Sequence, residues 1–133
     1  MNWNFDAQQA PDYIRVEMSG AFDNEQFGSM IDDLAAQDYF DIGSRLLFDD
    51  TRLELGKMTD LELLKASDTF IDRDGKLAYS KVAIVTSPEN LHVGRKFEKI
   101  TEYGSRAIMQ IFDDERAALS WLVGGLATAL SNV

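Results

Sequence analysis

Arg45-Leu46-Leu47-Phe48-Asp49-Asp50-Thr51, followed by a short linker and then Met58-Thr59-Asp60-Leu61-Glu62, is the stretch that decides the fold. A continuous Leu-Leu-Phe run bounded by polar residues predicts a short strand covered on both faces, since a half-solvated strand needs only alternate apolar positions. The apolar residues stop at two carboxylates, so the strand is expected to end there. Thr59 opens an amphipathic segment and Glu62 follows in the capping-box position, which marks a helix start. A buried strand feeding a helix belongs in an α/β layer structure.

Upstream, Trp3, Phe5 and Ala7 alternate with polar residues, as do Ile14, Val16 and Met18. Two half-buried strands joined through Gln9-Ala10-Pro11-Asp12 therefore form an antiparallel hairpin. Asp23 caps a first helix whose buried stripe is Phe27, Met30, Ile31, Leu34 and Ala35 and which should end near Gln37. Downstream of Thr59, the residues Leu63, Ala66 and Phe70 form the buried side of a second helix, stopped by Asp74-Gly75. Lys81-Val82-Ala83-Ile84-Val85 is a central parallel strand ending at Thr86 and Ser87. Val93, Phe97 and Ile100 mark a third helix, leaving His92, Arg95, Lys96 and Lys99 as a basic stripe on its other side. Ala107 to Phe112 is the last strand, and Asp113-Asp114-Glu115 opens a fourth helix that buries Ala118, Trp121 and Leu122. Gly124-Gly125 is expected to end or kink it.

The expected architecture is a single α/β domain over residues 1–124 in the order ββαβαβαβα. It comprises a five-stranded mixed sheet with an N-terminal antiparallel hairpin and about four helices. Residues 125–133 form a C-terminal extension in which Leu126, Ala129 and Leu130 provide an extra helical turn or a subunit contact, as in a homodimer.

Thirteen basic against 23 acidic residues give a net charge of −10, which repels phosphate backbones and makes nucleic acid a poor partner. The absence of cysteine excludes disulfides and thiolate chemistry. The first residues, Met1 to Asp6, lack the basic and apolar regions of a signal peptide, and no apolar run reaches the length of a membrane span, so a cytoplasmic protein is expected.

In this order of elements the chain resembles the SpoIIAA-like family, a branch of the STAS fold related in shape to the lipid-binding CRAL-TRIO domains. The resemblance rests on Leu46-Leu47-Phe48-Asp49, on the Lys81 to Val85 strand, and above all on the closing run Ile111-Phe112-Asp113-Asp114-Glu115-Arg116-Ala117-Ala118-Leu119-Ser120-Trp121-Leu122. It implies a STAS-like interaction or regulatory domain. Anti-sigma-factor antagonists of this kind carry a phosphorylatable serine in an Asp-Ser-Ser-Gly-like motif at the start of the helix after the third strand. Here that region reads Lys57-Met58-Thr59-Asp60-Leu61, with Thr59 as its only hydroxyl and without the serine pair or the glycine.

Three functions follow as expectations. The first is protein contact through Asp49, Asp50, Thr51, Thr59 and Asp60. The second is a small hydrophobic or lipid-like ligand held beside Phe70 and Phe97, between the sheet and the second and third helices. The third is a magnesium-dependent enzyme in which Asp49, Asp50 and Asp113 share an ion. No complete catalytic constellation is present in the sequence, so no catalytic residue, metal ligand or cofactor is assigned. His92 is the only histidine and, on the polar side of a helix, is expected to be solvated.

Overall fold

A computed structural model describes residues 1–131, with side chains described as far as Gly124. Five strands form one sheet in the order β1-β2-β3-β4-β5. They are β1 (Asn2–Asp6), β2 (Ile14–Ala21), β3 (Arg45–Glu54), β4 (Lys81–Val85) and β5 (Ile108–Phe112). β1 pairs antiparallel with β2, and every later neighbour is parallel. The helices are α1 (Asn24–Ala35), α2 (Asp60–Ile71), a short α3 (Asp74–Leu77), α4 (Leu91–Thr101) and α5 (Glu115–Ser131), with a 3-10 turn at Pro88–Asn90.

Because successive parallel strands are neighbours, right-handed crossovers put their connecting helices on one face of the sheet. α1 packs on α2 and α2 on α4, whereas α5 lies against β3 and β4 from the other side. The strands sort their side chains accordingly. Ile14, Val16, Leu46, Phe48, Val82 and Ile84 share a core with Phe27, Met30, Ile31, Leu34 and Phe70. Leu47, Ala83 and Val85 share a smaller core with Ala118 and Leu122. The Leu-Leu-Phe run is apolar throughout because it serves both layers.

The helix starts follow the capping chemistry. The backbone N–H of Gln26 donates to Asp23 Oδ1 at 2.9 Å and that of Glu62 to Thr59 Oγ1 at 3.2 Å. At the start of α5, Asp114 accepts from the Arg116 and Ala117 N–H groups.

Four local expectations are corrected. β3 does not stop at the acids but runs on to Glu54, because Gly20 and Ala21 of β2 continue to pair with Leu53 and Glu54. The register slips between Glu17 and Ser19, which face Asp49 and Arg52, so β3 carries one extra residue in a bulge. The second correction is at α2, which ends at Ile71 rather than Asp74-Gly75; Asp74 instead starts α3 and accepts from Arg106 Nε at 2.5 Å, so the helices number more than four. α1 ends slightly early, at Ala35. Finally, α5 continues through Gly124-Gly125 to Ser131. The side chains of Leu126, Ala129 and Leu130, and residues 132–133, lie outside the described residues.

Candidate functional site

Strand alternation decides where the two aspartates of β3 go. Leu46, Phe48 and Asp50 project toward the helices α1, α2 and α4, while Leu47 and Asp49 project toward α5. The adjacent carboxylates therefore enter two environments.

Asp49 is paired. Arg15 of β2 donates through Nη2 to Asp49 Oδ2 at 2.8 Å, through Nε to Glu17 at 3.1 Å, and through Nη1 to Glu115 at the start of α5. Thr51 donates its hydroxyl to Asp49 Oδ1 at 2.6 Å and its N–H at 3.1 Å. Burial pushes the Asp49 carboxyl up, but the Thr51 hydrogen bonds and the Arg15 charge outweigh it and hold it below the ordinary carboxylate range. This cluster fastens β2, β3 and α5 together.

Asp50 is not paired. Its Oδ1 is shut off from solvent and has no hydrogen-bond partner among the described residues. Burial, reinforced by the charge of Asp49, pushes its carboxyl up to about 7. Asp50 forms part of the wall of a cavity of about 70 Å3 between the sheet and α1, α2 and α4. The wall is otherwise apolar apart from Thr86 and Asn90, and it includes Met18, Phe48, Leu63 and Ala66. Four further phenylalanines, Phe22, Phe27, Phe70 and Phe97, line it too. Their rings interlock, with centroids 5.5 Å apart for Phe22 and Phe27, 6.3 Å for Phe27 and Phe97, and 6.0 Å for Phe70 and Phe97.

Gly94 allows α4 to ride close to the sheet at this point. A Cβ there would sit 2.9 Å from Ile111 Cγ2 and 3.4 Å from Thr86 Cγ2, inside normal contact.

The other expected residues fall elsewhere. Thr51, Thr59 and Asp60 are exposed, with Thr59 serving as a helix cap and Asp60 sitting 3.7 Å from Lys96 Nζ. The five residues anticipated as one contact surface are therefore divided between the α5 side, the cavity and the open start of α2. Asp113 is exposed beyond β5, two strands from β3 in the sheet order, so Asp49, Asp50 and Asp113 do not converge on one ion. Among the described residues no group of three His, Cys, Asp or Glu side chains is arranged to hold a metal. His92, Arg95, Lys96 and Lys99 lie exposed along α4 as an open basic stripe. Phe70 and Phe97 do meet, on the cavity wall. Sequence reasoning missed the Asp50 orientation and the Arg15 cluster.

No protein-family model matches the chain, and no curated protein matches it. Among solved structures it is similar to the crystal structure of an uncharacterized protein from the DUF3478 family, with a SpoIIAA-like fold, from Shewanella loihica PV-4. The two are 20% identical and superpose with a TM-score of 0.55, over 91% of this chain and 92% of that one. The chain thus has the SpoIIAA-like, STAS-type fold that the resemblance implied. Among the described residues no helix is long and apolar enough to cross a membrane.

Proposed function

We propose that this SpoIIAA-like domain is a binding protein for a small, mainly apolar molecule, held between the sheet and α2 and α4. The single observation that supports this reading is Asp50, whose buried Oδ1 has no partner among the described residues, on the wall of a cavity otherwise lined mainly by phenylalanine and aliphatic side chains. An isolated buried acid costs stability, so its presence on an apolar wall makes sense if a ligand supplies its missing partner. With about 70 Å3 of space the cavity is about half of the roughly 150 Å3 that takes a benzene ring and well below the roughly 300–1,000 Å3 of drug-sized sites, so a single-ring ligand fills it and extends through its open side.

Titration with benzyl alcohol, followed by amide and methyl NMR, tests this. Saturable shifts confined to residues around Leu63, Phe70 and Phe97 are expected, and they should vanish in Ala66→Leu, which fills the cavity while keeping a dispersed spectrum. Shifts that never saturate, or that scatter over the surface, would refute it.

Protein contact is a second reading, supported by Leu61 and Leu64, which are 62% and 46% exposed on α2 just after the Thr59 cap. Here the expected outcome is that Leu61→Asp with Leu64→Asp leaves the fold intact and abolishes binding to partners that cross-link to wild-type protein; unchanged cross-links would count against it.

A further inference from the structure

We infer that the cavity ligand is a small hydrophobic amine, whose ammonium group is held by Asp50 while its apolar body lies among Phe22, Phe27, Phe70 and Phe97. This rests on the cavity being a binding site, and it adds the charge of the ligand.

Three features select a cation. Among the described residues of the wall, which come from β2 to β5, α1, α2, α4 and the segments between them, Asp50 is the only titratable side chain. A carboxylate or phosphate ligand would therefore bring a second negative charge next to an unpaired one in an apolar space, with no lysine, arginine or histidine to offset it. The net charge of −10 repels anions from the whole molecule and draws cations toward it. Finally, an ammonium is attracted to aromatic rings, and phenylalanines make up much of the wall. A neutral alcohol can accept a hydrogen bond from the protonated Asp50 carboxyl or donate one to its carboxylate, but it gains neither the ion pair nor the cation's attraction to the rings. Water would satisfy the carboxyl but not the phenyl wall.

The geometry also gives the pH dependence. The Asp50 carboxyl is pushed up to about 7 by burial and by the charge of Asp49, on the neighbouring position of its own strand, which shares Arg15 with Glu17 and Glu115. Below that range Asp50 keeps its proton and offers an ammonium group no counter-charge. Amine affinity should therefore rise as pH increases from 5.5 to about 8, while the affinity of a neutral analogue stays flat.

Benzylamine, benzyl alcohol and benzoate share a ring and differ in charge, so their dissociation constants at pH 8, read from NMR titrations of the intact protein, decide the matter. Benzylamine is expected to bind about tenfold more tightly than benzyl alcohol, with benzoate weakest. Asp50→Asn should erase the amine preference and keep the alcohol affinity, whereas Asp60→Asn, which removes an exposed charge away from the cavity, should change neither. Binding of the alcohol with no amine preference, or an amine preference that survives Asp50→Asn, would overturn the inference and leave the cavity reading intact. Failure of all three compounds to bind would overturn both.

Discussion

Asp50→Asn is expected to make the folded protein more stable at pH 8, by about 2–4 kcal/mol, and to change little at pH 4. The Asp50 carboxyl sits at about 7 in the folded state against its ordinary 3.8. Between those values the unfolded chain releases the proton and the folded chain retains it, so the folded state is favoured by acid: the contribution is full below about pH 4 and is lost as pH rises through about 7. Each unit of difference is worth about 1.4 kcal/mol, which sets the upper figure. The lower figure reflects that Asp50 as a residue is only partly covered, even though Oδ1 is closed off. Asparagine has the same shape and no charge, so its variant escapes the decline. Urea denaturation at the two pH values measures the difference directly. A gap of equal size at pH 4 and pH 8 would mean that ionisation of Asp50 is not what destabilises the protein. An acid that weakens the ligand-free fold at neutral pH is the form that a stability cost of function takes.

Most of the fold was legible because it rests on local chemistry. Asp23, Thr59 and the Asp113-Asp114 pair announced helix starts through their side chains, and Lys81 to Val85 announced a doubly covered strand through five positions with little polarity. Phe70 and Phe97 could be placed together because helical spacing puts each on the buried side of its own helix, and consecutive crossovers stack those helices. What escaped was long-range. Whether β3 ends at Asp49 or continues to Glu54 depends on β2, which offers Ser19 to Ala21 as partners, and the bulge that returns Leu53 to the core exists only in that pairing. Without the continued strand Asp50 has no assigned face, and the acidic pair reads as one cluster rather than two opposed carboxyls. The Arg15 cluster was hidden for the same reason: its members come from β2, β3 and α5, and only register brings them together. Cavity volume is further still from sequence, since it is a small residue of imperfect packing among large rings and one close-set glycine.

Phe70→Ala is expected to destabilise the protein by about 3–5 kcal/mol and, at the same time, to increase the stabilisation that a small aromatic compound provides. Phe70 is 1% exposed, belongs to the main core and meets Phe97 edge-on. Its removal forfeits the transfer free energy of a phenyl ring, and the space it leaves joins the existing cavity instead of closing, because β3, β4 and α4 are held by their own ladders and by the close contact at Gly94. Rigid apolar space of that kind stays open and accepts a ring. A compound present at a hundred times its dissociation constant returns about 2.7 kcal/mol, so denaturation curves with and without benzyl alcohol should separate further in the variant than in wild type. The two effects test different things. The loss alone shows that Phe70 is core, which any buried ring would satisfy; the larger ligand response shows that the core has a rigid opening at this position. If Phe70→Ala loses stability yet responds to the compound no more than wild type, the walls have collapsed inward, and the cavity beside Asp50 is a soft packing defect rather than a preformed site.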